Sequence, residues 1–150
     1  MTAQALWLDD IRVGDRFRSG SHTVTAAEIV SFAESYDPQP FHLGESRAAG
    51  TFFAGLAASG WHTAAITMRL LVEGGLPIAH GIIGVEQQLA WPTPTRPGDV
   101  LHVESVVTEV KVGRSDAARG IVTTEYLTIN QEGEVRQRAT GKILVFRKPE

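Results

Sequence analysis

The sequence predicts an α+β fold in which an antiparallel sheet of about five strands wraps around a central helix. Three observations lead there. The stretch from Leu56 to Val72 is small and apolar on more than one side, as in a helix enclosed by other structure. From Gly81 onward the hydrophobic period changes to two, and short turns separate the segments that carry it, which is the pattern of antiparallel strands. Ahead of both lie one strand-like segment and one capped helix, so the long helix is inserted after the first strand.

Leu6 to Thr25 mixes short apolar pieces with Gly14, Asp15 and Gly20, which suits an extended lead-in and a first strand around Asp15 to Val24. Thr25-Ala26-Ala27-Glu28 is a capping box, and Ile29, Val30, Phe32 and Ala33 place an apolar stripe on the helix it opens. That helix is expected to stop near Tyr36, because Asp37-Pro38 favours an extended or turn geometry. Gly44 to Phe53 reads as a short helical turn and loop. The long helix begins near Ala58 to Gly60, its small residues allow close backbone approach, and Gly74-Gly75 followed by Leu76-Pro77 stops it.

In the next strand Ile83, Val85, Gln87, Leu89 and Trp91 alternate with Gly84, Glu86, Gln88 and Ala90, up to Pro92-Thr93-Pro94. Pro97-Gly98-Asp99 turns the chain into a strand from Val100 to Val112, where a slip in the alternation predicts a bulge. Gly113 to Ala118 is a turn, Arg119 to Ile129 a strand, Asn130 to Gly133 a turn and Glu134 to Arg147 the last strand. Successive strands are thus expected to form a meander. Curling such a sheet around the helix gives the hot-dog architecture; the competing arrangement is a cone-shaped barrel that holds its ligand in the sheet cavity.

At 150 residues the chain is the size of one domain, taken to span residues 1–150. Its 43% hydrophobic and 21% charged residues, with a formal net charge of −3, are those of an ordinary globular protein. The sequence has no basic run that would meet nucleic acid and no cysteine for disulfides or thiolate chemistry. Met1 to Asp10 reaches charged residues before any apolar run, so no secretory signal is expected, and no uncharged apolar stretch is long enough to span a bilayer. A cytoplasmic location is the resulting expectation, with neither nucleic acid nor membrane as partner. His22, His80 and His102 lack a second ligand at a useful spacing, which argues against a metal site.

The residues that carry chemistry are Asp37-Pro38-Gln39-Pro40-Phe41-His42 and, further on, Ser59-Gly60. A carboxylate and an imidazole five residues apart would face different sides of a helix, but the two prolines prevent one, so both side chains can converge from a bent loop. Together they can hold and deprotonate a water. A backbone N–H at the start of the long helix can stabilise negative charge on a carbonyl oxygen. These parts suit the addition or removal of water beside a thioester.

The chain resembles the MaoC-like dehydratase family, which includes R-specific enoyl-CoA hydratases. The resemblance runs over nearly the whole chain, through Val13-Gly14-Asp15, Asp37 to His42, Ser59-Gly60 and the Trp91-Pro92-x-Pro94-x-Arg96-Pro97-Gly98-Asp99 link. It implies that Asp37 and His42 hold the reacting water and that the Gly60 N–H meets the thioester oxygen. It also implies a homodimer, an acyl-CoA substrate, and no cofactor beyond the coenzyme A of that substrate. Ser59, Trp61 and Phe52 are expected to bind substrate, with Phe53 and Leu56 as further pocket walls. Two residues depart from the family's common pattern, Gln39 in place of Asn and Ser59 in place of His. Ile78-Ala79-His80-Gly81 looks like the family's helix start, yet a strand pattern follows it, so Gly60 is preferred. A hydrogen-bonded core histidine is the reading for His62, a cap for Glu28, and a solvated turn for Arg114 and Arg119. The competing functions are a thioesterase on the same fold and a non-catalytic acyl-CoA-binding module.

Overall fold

The structure is a computed structural model that describes residues 4–150, so the reading of Met1 to Asp10 falls partly outside the described residues. The capping box at Thr25 forms: its side chain accepts the Glu28 N–H at 3.2 Å and its N–H donates to Glu28 Oε1 at 2.7 Å. The helix so opened, α1, covers Ala26–Tyr36. Glu28 does more than cap, because it also meets His22 Nε2 at 3.0 Å.

Before α1 the single expected strand is instead two short ones, β1 (Arg16–Arg18) and β2 (His22–Thr23), both paired with one later strand. The break has a local cause. Ser19 Oγ takes the Val103 N–H at 2.7 Å in place of a backbone acceptor, and pairing with the same strand resumes one residue out of register, from Arg18 opposite Glu104 to His22 opposite Leu101. After α1 come a 3₁₀ turn at Pro40–His42, α2 (Glu45–Ala48), and the long helix α3 (Gly60–Leu70). A π turn, Leu71–Gly75, continues α3 until Gly74, at φ +139°, ends it.

The remaining strands are β3 (Ile83–Ala90), β4 (Val100–Val112), β5 (Arg119–Ile129) and β6 (Val135–Phe146). The predicted slip in β4 is a register shift between Val107 and Glu109. The six-stranded sheet runs β1-β4-β5-β6-β3, with β2 also on β4, and the hot-dog arrangement of sheet and central helix is present. Only β4, β5 and β6 form the expected meander. β3 lies beyond β6 at the far edge, because the link from Trp91 to Asp99 is too long and proline-rich to be a hairpin and carries the chain past the start of α3.

Two further expectations change on packing. In β3 a register shift between Gly84 and Glu86 interrupts the alternation, so Ile83 stands opposite Leu144 while Gln87 and Leu89 stand opposite Gly141 and Ala139. One extra residue therefore moves Ile83 off the face that Gln87 and Leu89 share. The helix α3 is not enclosed either. His62, Thr63, Ile66, Thr67 and Leu70 are buried, whereas Trp61 is 62% exposed, Met68 42% and Val72, on the π turn, 63%, so this chain covers one side and leaves an apolar stripe on the other.

Candidate active site

Asp37 is the residue at which α1 ends; its N–H still bonds Ala33 O, but its own backbone has left the helix. Pro38 and Pro40 then force the tight turn that ends in His42. The fold of this turn brings Asp37 Oδ2 to 3.3 Å from His42 Nε2. His42 is buried and its Nδ1 lies 2.6 Å from Ala57 O. A carbonyl can only accept, so Nδ1 carries the proton, and in the neutral ring Nε2 presents a lone pair beside the carboxylate. The two acceptors lie side by side, and a water molecule resting against the pair can donate to both.

The carboxylate is itself held from two sides. Gln39 Nε2 donates to Asp37 Oδ1 at 2.6 Å, and the Ser59 hydroxyl lies on the side of the same carboxyl group where it favours the charged form. Burial pushes the Asp37 carboxyl upward, but the Ser59 hydroxyl, the Gln39 hydrogen bond and the charge of His42 when its imidazole is protonated together outweigh it and hold it below its ordinary value. Both departures from the family's common pattern, Gln39 and Ser59, thus converge on one carboxylate.

Ser59 has a second task, as the cap of α3: its Oγ accepts the Trp61 N–H at 3.3 Å. Gly60 is the first helical residue, and its N–H has no acceptor among the described residues. That donor sits at the positive end of the helix. The glycine is required by contact: a Cβ there would lie 2.6 Å from Trp91 Cε2, so the indole rests directly on the Gly60 backbone.

A cavity of about 340 Å³ is lined by His42, Phe53, Gly60, Thr63, Trp91 and Arg136, with Phe52 and the prolines of the link at its rim. Its walls are tied together by side chains to which the sequence assigned no role, although Arg96 and Asp99 belong to the link motif. Arg96 donates to the carbonyls of Phe53, Gly55 and Leu56 at 2.6, 3.0 and 3.2 Å, fixing the loop ahead of α3. Arg136, buried on β6, grips Asp99 through two bonds of 2.9 and 3.2 Å and Thr93 through a third. Burial pushes the Asp99 carboxyl up, and its bonds to Arg136, Arg96 and Asn130 more than reverse this. Thr63 on α3 meets Thr95 on the link at 2.8 Å.

The remaining expectations divide. Asp37, His42, Ser59 and Gly60 are brought together at one end of α3. Phe52 is at the cavity rim but 95% exposed in this chain. Trp61 does not line the cavity; it points outward and packs edge-on against Trp91, with ring centroids 5.4 Å apart. Leu56 is core rather than wall. His62 is buried and stacked on Phe32 at 4.7 Å, but its Nδ1 finds no hydrogen-bond partner among the described residues. Burial holds its imidazole below the usual value, as an unpaired buried base requires. His80, at φ +67°, belongs to a turn and not a helix start. Arg119 faces Asp116 at 3.7 Å, and neither it nor Arg114 lines the cavity. Among the described residues no three His, Asp or Glu side chains converge as metal ligands, and no helix is long and apolar enough to cross a membrane.

Known proteins share this arrangement of fold and sequence. A crystal structure of a MaoC-like dehydratase from Rhodospirillum rubrum is 58% identical and superposes with a TM-score of 0.96 over 97% of this chain and 100% of that one. The uncharacterized protein YdeM of Bacillus subtilis is 32% identical over 126 residues, covering 83% of this chain and 88% of YdeM. A 3-hydroxybutyryl-CoA dehydratase of Methylorubrum extorquens is 31% identical over 108 residues, 71% of this chain and 67% of that protein. The family model described as the MaoC like domain matches residues 11–130, and the chain belongs to that hydratase and dehydratase family.

Proposed function

We propose that this protein is an acyl-thioester hydratase/dehydratase that reversibly adds water to a trans-2-enoyl-CoA to give a 3-hydroxyacyl-CoA. The observation that carries the proposal is the facing pair of acceptors, Asp37 Oδ2 and His42 Nε2 at 3.3 Å, at the end of α3 where the Gly60 N–H is free to donate. The similarity to a relative named 3-hydroxybutyryl-CoA dehydratase supports the same chemistry.

In this account Asp37 and His42 hold one water by its two hydrogens. As the water oxygen bonds to C3, the pair takes one of its protons, and the electrons of the C2–C3 double bond move toward the thioester oxygen. Gly60 N–H and the helix end stabilise that developing negative charge. A proton then returns to C2, so the sum is one H₂O added. The lowered Asp37 carboxyl keeps the charge needed to stabilise an imidazolium at His42.

The acyl-CoA is the only partner the reaction needs besides a second copy of the chain, and we assign no cofactor, nucleic acid or membrane. Residues 1–150 act as one domain in the cytoplasm. The uncovered stripe of Trp61 and Met68 on α3 and Val72 on the π turn that continues it, with the unpaired outer edge of β3, is what a homodimer would cover. The test is loss of enoyl absorbance from crotonyl-CoA and longer trans-2-enoyl-CoAs, comparing the protein with Asp37→Asn while monitoring free thiol. Asp37-dependent loss without thiol supports hydration. Thiol release would assign a thioesterase, and ligand-induced thermal stabilisation without turnover would assign a binding module.

A further inference from the structure

Trp91 is joined to the body of the protein by a chain of polar groups that hydration chemistry at Asp37 and His42 does not use. Its Nε1–H donates to Gln137 Oε1 at 2.9 Å. Gln137 is fully buried on the sheet face turned toward α3, and its Nε2 donates to Thr67 Oγ1 at 3.3 Å. The Thr67 hydroxyl donates to Thr63 O at 2.8 Å and also meets Thr128 Oγ1 at 2.6 Å. An indole N–H can only donate, so it takes the amide oxygen and leaves the amide NH₂ for the threonine. The orientation of Gln137 is therefore dictated by its partners.

The anchored indole stands in a place that matters. Its ring covers the Gly60 backbone so closely that a Cβ would overlap three of its atoms, at 2.6, 2.7 and 2.9 Å. The same ring forms one wall of the 340 Å³ cavity that also holds His42 and Thr63. Trp91 follows the last residue of β3, and its other flank packs edge-on against the exposed Trp61. The bond to Gln137 is the hydrogen bond that ties this wall to the sheet.

We infer that Gln137 is a positioning residue that holds the Trp91 indole as the wall over Gly60, and that the pair thereby limits the size of the acyl group admitted beside the thioester. The inference rests on the hydratase reading of the site. It favours short acyl groups, because the indole is a wall of the 340 Å³ cavity and a longer chain on that side would need the wall to move.

The test is a double-substitution cycle read on substrate preference. Gln137→Met keeps side-chain volume and removes the acceptor; Trp91→Phe keeps an aromatic wall and removes the donor, and serves alone if the buried Gln137→Met fails to fold. For the parent, each single variant and the double variant, the ratio of kcat/KM for trans-2-octenoyl-CoA to that for crotonyl-CoA is measured. This ratio does not depend on the fraction of protein folded. The expected result is a rise of about tenfold in each single variant, and in the double variant no more than in either alone, because both remove one bond. An unchanged ratio in Trp91→Phe, or effects that multiply in the double variant, would overturn the inference while leaving the hydratase reading standing. A parent protein with no turnover at any chain length would overturn both.

Discussion

Ser59-Gly60 and His80-Gly81 carry similar short patterns, and each is followed by a regular element, but their glycines answer different constraints. At Gly60 the backbone is helical and the constraint is contact, because the Trp91 indole occupies the space of a side chain. At Gly81 nothing lies within 4 Å of where a Cβ would stand, and the constraint is a φ of +90°. One glycine exists to let a wall approach a helix end; the other lets the chain turn into β3. The difference separates a candidate site from a turn, and it is the kind of difference that substitution can measure.

Between the two glycines the largest effect on activity is expected at the contact. Gly60→Ala must displace either Trp91 or the start of α3, and kcat/KM should fall by about 10² with a lower melting temperature. Wild-type kcat/KM would remove the distinction between the two glycines. Next is the clamp behind the cavity: Arg136→Met leaves Asp99 buried without its partner and should cost about 3–5 kcal/mol in denaturant unfolding. The cost should shrink in acid. Asp99 has a lowered carboxyl in the folded protein, so the stability it contributes is present above the unfolded carboxylate pKa and is lost as pH falls through the folded one.

A smaller change is predicted at Ser59→Ala, which removes the hydroxyl beside Asp37 and the cap of α3. The Asp37 carboxyl should titrate at higher pH in a carbon-detected NMR titration, and stability should drop by about 1 kcal/mol. A carboxyl that did not move would mean Ser59 caps the helix without tuning Asp37. The smallest effect on activity belongs to Gly81→Ala, which should cost about 1–2 kcal/mol of stability through its backbone conformation while kcat/KM holds.

What the sequence discloses depends on how local each cause is. The capping box at Thr25, the stop before Asp37-Pro38 and the strands from Val100 to Val112 and Arg119 to Ile129 are written in neighbouring residues, and they form where expected. The choice of Gly60 over Gly81 is legible from the helical pattern after the one and the strand pattern after the other. The reason for Gly60 is not, because Trp91 reaches it only through the fold. Arg136 and Gln137 are hidden in the same way, since their partners lie roughly forty to seventy positions away and a polar residue in a strand looks like ordinary alternation; Arg96 is visible in the link motif, but the carbonyls it holds are not. The position of β3 beyond β6 departs from the expected meander because the link after Trp91 is too long for a hairpin, and a strand pattern does not say which neighbour it pairs with. Gln39 and Ser59 are visible as departures, but their common target, the Asp37 carboxyl, emerges only when the turn closes on the helix start.

The central claim is that Asp37 and His42 act as one unit on one water. It is tested most directly by the turnover number for crotonyl-CoA hydration in Asp37→Asn, His42→Ala and the double variant, each checked for intact fold by circular dichroism. Each single change is predicted to lower turnover by about 10² or more, with the double variant little worse than the poorer single one. Full activity in either single variant, or losses that multiply in the double, would contradict it.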